Sequence, residues 1–135
     1  MAVYTDKPLW KKLGYQAGMT VMIINAPSNY EVMLGELPPE VRLCESARGP
    51  YAAAHLFTAS RDELDKQLKL LRGQLAQDGM IWVSWPKKSS KVATDITDNV
   101  IREVALPLGF VDVKVCAVDE VWSGLKLVIR KTERA

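Results

Sequence analysis

Two runs of this chain, Met80-Ile81-Trp82-Val83-Ser84-Trp85 and Thr20-Val21-Met22-Ile23-Ile24-Asn25, are apolar with little alternation. That pattern belongs to strands covered on both faces. Tyr51 to Phe57 reads as a third strand and Val41 to Cys44 as a brief one. Helical segments lie between them. Ser60-Arg61-Asp62-Glu63 is a capping box, and Leu64, Leu68, Leu71 and Leu75 continue it as one apolar stripe. Covered strands alternating with helices predict a single α/β domain over residues 1–135, with a mostly parallel sheet between two helical layers.

The stretch Gly79–Asp98 carries the most chemistry. Asp78-Gly79 reads as a turn feeding the strand, which Pro86 ends because it cannot donate to a ladder. Lys87, Lys88 and Lys91 follow, with Ser89 and Ser90 between them, and Thr94 or Asp95 is the expected N-cap of the next helix. A strand end, a polar loop and a helix start in this order form the usual ligand edge of an open α/β sheet. Free N–H groups and the lysines there would attract an anion. On residues alone, Lys87, Lys88, Ser89, Lys91 and Thr94 are either a small anion-binding site or an ordinary solvated loop. The G-x-x-x-x-G-K-[ST] pattern of a P-loop is absent.

Elsewhere the chain reads as a short helix over residues 5–13, capped by Thr5 or Asp6, then another over roughly 29–35 before Pro38-Pro39. Pro107 and Gly109 stop the helix that starts near Thr94. Phe110 to Val118 and Leu125 to Arg130 then form a C-terminal antiparallel pair, with an open sheet edge expected near Leu125–Arg130. Asp119, Glu120 and Trp122 follow a strand and so share an edge with Lys87. Their plain alternatives are an ion pair with the lysines for the acids and core packing for Trp122.

Composition closes off several function classes. Of 135 residues, 48% are hydrophobic and 25% charged, with a net charge of +2, too small by itself to favour nucleic acid. No apolar run approaches the ~18–20 residues of a membrane span, and the first residues lack a signal-peptide core. Cys44 and Cys116 lie in apolar segments without C-x-x-C spacing, so reduced structural thiols and a cytoplasmic location are expected. One histidine, His55, sits in a strand-like run without a nucleophile motif and reads as packed rather than catalytic. No metal site is expected.

The layout, with its final antiparallel pair and the helix–turn–strand Leu75-Ala76-Gln77-Asp78-Gly79-Met80-Ile81-Trp82-Val83, resembles the Rossmann-like fold of class I S-adenosylmethionine-dependent methyltransferases. Such enzymes carry a glycine-rich loop after the first strand. Here the place is held by Asn25-Ala26-Pro27-Ser28-Asn29, without a glycine. Glu45 stands where their ribose-binding acid follows the second strand. The runs Trp85-Pro86-Lys87-Lys88, Thr94-Asp95, Val113 to Glu120 and Trp122-Ser123-Gly124-Leu125-Lys126 are similar to those of a bacterial family of small proteins with no assigned activity. That resemblance implies a shared fold and a shared site around Lys87–Asp95 and Asp119–Trp122.

Three functions follow as expectations. The first is a small α/β protein, with no cofactor, that binds an anionic ligand or a protein partner at Lys87–Thr94. The second is a minimal or degenerate S-adenosylmethionine-dependent methyltransferase. The third is an interaction protein that forms a homodimer through its terminal strands.

Overall fold

The computed structural model describes residues 8–45 and 49–134. Among the described residues six strands form one sheet in the order β2-β1-β3-β4-β6-β5. They are β1 (Thr20–Ile24), β2 (Arg42–Cys44), β3 (Tyr51–Phe57), β4 (Leu75–Pro86), β5 (Phe110–Ala117) and β6 (Trp122–Ile129). β2, β1, β3 and β4 are mutually parallel, and β6 runs antiparallel to both of its neighbours. The mostly parallel sheet and its terminal antiparallel pair stand as expected.

Helices cover both faces. On one side α1 (Leu9–Leu13) and α2 (Tyr30–Leu34) bury Leu9, Leu13, Tyr30 and Leu34 against Val21, Ile23 and Trp82. On the other, α3 (Arg61–Arg72) and α4 (Asp98–Ala105) bury Leu64, Leu68, Leu71, Ile101 and Val104 against Ile81, Val83, Leu125 and Leu127. Alternate residues of β4 therefore feed two separate cores, which is why its sequence carries no alternation. Ser60 is the N-cap as read, its Oγ accepting from the Glu63 N–H at 3.3 Å. The box is only half formed: the Ser60 N–H donates to Thr58 Oγ1 at 3.2 Å, and Glu63 accepts from Gln67 instead.

Several local expectations are corrected. Asp78-Gly79 is no turn but part of β4, and Leu75 opens that strand instead of closing the helical stripe. The ladder pairs Tyr51 with Leu75 and Ala53 with Met80, so a bulge absorbs the intervening β4 residues. A Cβ at Gly79 would lie 2.9 Å from the Leu75 side chain and 3.0 Å from the Ala52 carbonyl. Close backbone approach, not chain reversal, requires that glycine. The N-cap of α4 is Thr97, whose side chain accepts from the Val100 N–H at 3.2 Å, and not Thr94 or Asp95.

The sheet edge is also corrected. β6 lies inside the sheet with Leu125, Leu127 and Ile129 fully buried, while β5 forms the edge and leaves Val113 and Val115 half exposed. The hairpin turn is at 118–121, and Ser123-Gly124 lies within β6. Cys44 and Cys116 are half-buried free thiols. The Thr5 or Asp6 cap lies outside the described residues, and Pro8 occupies the N-cap position of α1.

Candidate functional site

The carboxyl ends of β1 and β2 open into a cleft of about 510 Å³. Beside it, Asn25 takes φ 59° where β1 leaves the sheet. Asparagine is one of the few side chains at ease in this left-handed region, so the turn forms without a glycine. The Pro27 carbonyl then accepts from the Tyr30 N–H at 3.0 Å and starts α2. Pro27 and Tyr30 line the cleft together with Ile23 and Leu43. Glu31 from α2 and Glu45 beyond β2 supply the ionisable groups of the described lining. Both are exposed carboxylates. A second depression of about 360 Å³ continues from Ile23, Ala26 and Glu45 to Asn25.

Behind the cleft runs a buried polar chain. The Tyr15 and Tyr30 hydroxyls lie 2.7 Å apart, Tyr30 Oη is 2.8 Å from His55 Nδ1, and His55 Nε2 is 2.7 Å from Ser84 Oγ. All four side chains are buried. Burial lowers the His55 pKa to about 3, so the imidazole is neutral at ordinary pH. Burial also raises both tyrosines above their usual value. The Tyr30 ring meets His55 and Phe57 edge-on at centroid distances of 5.3 and 5.5 Å, and Phe57 meets Trp122 edge-on at 5.1 Å. His55 is thus a packed residue, as its apolar run implied. No pattern in the sequence pointed to the chain that joins Tyr15, Tyr30 and Ser84. Their partners lie 15, 25 and 29 residues away, and no spacing rule reports contacts of that range.

The lysine loop lies on the same sheet edge. After Pro86 the Lys87 N–H donates to the Val121 carbonyl at 2.7 Å, which ties the loop to the β5–β6 turn. A 3₁₀ turn covers Lys88–Ser90, and Lys91 closes it at φ 61°. The Thr94 hydroxyl donates to the Ala59 carbonyl at 2.7 Å and accepts from the Ile96 N–H at 3.0 Å. Asp95 accepts from the Arg61 N–H at 2.7 Å, at the start of α3. Of the predicted group, Lys88 and Thr94 border one depression of about 400 Å³, with Trp85, Thr97 and Asn99. Lys87, Ser89 and Lys91 do not border it.

Asp119, Glu120 and Trp122 do share this edge, but not as ion-pair partners. Among the described residues no salt bridge joins Asp119 or Glu120 to the lysines. Asp119 Oδ1 instead accepts from the Val121 and Trp122 N–H groups, both at 2.8 Å, and shapes the hairpin turn. Trp122 is half-buried against Phe57. Among the described residues no group of His, Cys, Asp and Glu could hold a metal ion, and no helix is long and apolar enough to cross a membrane.

No family model matches the chain, and no curated protein matches it in sequence. Solved structures do match. A ribosomal protein L11 methylase from Lactobacillus delbrueckii subsp. bulgaricus is 10% identical with a TM-score of 0.60, over 90% of this chain and 75% of that one. A TehB-like SAM-dependent methyltransferase from Corynebacterium glutamicum is 10% identical with a TM-score of 0.60, over 90% and 85%. A SAM-dependent methyltransferase from Aquifex aeolicus is 14% identical with a TM-score of 0.61, over 90% and 87%. At such identities the likeness establishes the fold: a mixed α/β domain with the sheet of the methyltransferases.

Proposed function

We propose that the β1–β2 cleft binds S-adenosylmethionine, making this chain a minimal member of the methyltransferase fold. The observation that carries the reading is Glu45, a carboxylate at the end of the strand beside β1, bordering a cleft of about 510 Å³. An acid there can accept from both hydroxyls of a ribose. The described ionisable lining is acidic, through Glu31 and Glu45. That charge repels phosphates and favours a nucleoside bearing a sulfonium and an ammonium group. Asn25 in the left-handed region supplies the tight turn that glycines make elsewhere. When bound, the cofactor supplies an activated methyl group. The chain's own residues provide the ribose acceptor and the apolar walls at Ile23 and Leu43.

Isothermal titration with S-adenosylmethionine and S-adenosylhomocysteine tests this directly. A ligand at about 100 times its dissociation constant should also add about 2.7 kcal/mol of stability. Absence of heat and of any thermal shift with both compounds at millimolar concentration overturns the reading.

A second reading rests on the lysine loop: an anionic ligand or partner docks at Lys87–Thr94. What favours it is the depression of about 400 Å³ where Lys88 and Thr94 meet Trp85. Replacing Lys88, the lysine that borders this depression, by alanine should weaken binding of inorganic phosphate or a nucleotide, and unchanged binding of both removes it.

A further inference from the structure

We infer that the buried chain Tyr15–Tyr30–His55–Ser84 exists to seat Tyr30, and with it α2, as the inner wall of the β1–β2 cleft, and so holds the cleft in the form that binds the ligand. The ligand half of this statement rests on the reading above. The seating half does not.

α2 has only five residues, too few to hold a helix without tertiary contacts, and buries only Tyr30 and Leu34. Its position therefore depends on what holds those two side chains. The Tyr30 hydroxyl has two partners in the interior, Tyr15 at 2.7 Å and His55 at 2.8 Å. Tyr30 also borders the cleft, so holding its hydroxyl in the interior fixes that part of the cleft wall. The ring is further boxed edge-on by His55 and Phe57, both on β3. From His55 the chain continues to Ser84 on β4, so the cleft wall is tied to two of the four parallel strands and to the segment after α1.

Proton counting supports a uniform, uncharged chain. Three hydroxyls and one neutral imidazole carry four hydrogens, enough to fill three hydrogen bonds in either direction. No buried side-chain polar atom among the described residues is left without a partner. Removing any member strands its neighbours in the core, where an unpaired polar group is costly. Tyr15, His55 and Ser84 are thus positioning residues that act through Tyr30.

Two variants of the intact protein test the inference. Tyr30→Phe keeps the ring but cuts the chain in its middle, and Ser84→Ala removes the end that does not border the cleft. Amide hydrogen exchange on the unliganded protein should rise about tenfold over residues 25–35 in both and stay unchanged over 61–72. Leu68→Ala, on the opposite face of the sheet, should show the reverse pattern. In titrations with S-adenosylmethionine both chain variants should bind about fivefold more weakly, while Leu68→Ala binds like the parent. Unchanged exchange over 25–35, a uniform rise across the chain, or an effect confined to Tyr30→Phe overturns the inference. If the parent binds no S-adenosylmethionine, the functional reading falls, and the exchange pattern still decides the seating.

Discussion

His55 Nε2 and Ser84 Oγ lie 2.7 Å apart across β3 and β4, with both side chains fully buried. Burial lowers the folded pKa of His55 from 6.5 to about 3. The unfolded chain therefore binds a proton below pH 6.5 that the folded chain refuses. Stability should fall as pH drops from about 6.5 toward 3, by roughly 1.4 kcal/mol per unit at full slope. Urea denaturation at pH 7, 6, 5 and 4.5 measures it. Arg102 beside Asp112 lowers that carboxyl below 3.8, so its own contribution is lost only under more acid conditions. His55→Phe should flatten the profile above pH 4, and an unchanged profile in that variant would assign it elsewhere.

Glu45 is exposed, so its charge contributes little to folding. Glu45→Gln should leave the melting temperature within error and weaken S-adenosylmethionine binding by about tenfold, the scale of a lost hydrogen bond to a charged group. Equal affinity in titration would remove Glu45 from the site.

Asn25 holds its left-handed conformation without help from glycine. Asn25→Gly should be nearly neutral, whereas Asn25→Val should cost about 1–2 kcal/mol because a branched Cβ resists positive φ. Chemical denaturation of the two variants separates conformation from side-chain loss.

Thr97, and not Thr94, caps α4. Thr97→Ala should therefore cost about 1 kcal/mol. A larger loss in Thr94→Ala than in Thr97→Ala would reverse the assignment.

Both edges of the sheet are blunted. β2 has three residues, and the β5–β6 register shifts between Asp112 and Lys114, placing a bulge and an exposed lysine on the other edge. Strand-to-strand dimerisation is disfavoured, so sedimentation at high concentration should return the monomer mass. A dimer mass abolished by Val115→Lys would instead place a second copy on β5.

Local physics was legible in the sequence. The Ser60 cap, the α3 leucines, the covered strands and the β/α alternation all depend on neighbours within a few residues, and together they determined a mostly parallel sheet between helical layers. Where a rule was applied one step too far, tertiary contacts overrode it. Asp78-Gly79 has turn composition, yet β3 draws it into the ladder through a bulge. Leu125 to Arg130 was expected at the open edge, yet β6 takes the inner place because Leu125, Leu127 and Ile129 fill the α3–α4 core. For the candidate site, the Lys87–Thr94 loop was visible as chemistry at a strand end, and Glu45 only through the resemblance to methyltransferases. The cleft, and the buried chain behind Tyr30, exist only once β1, β3 and β4 stand side by side. Those contacts join residues far apart in sequence, and which of them form is settled by the packing of the whole sheet.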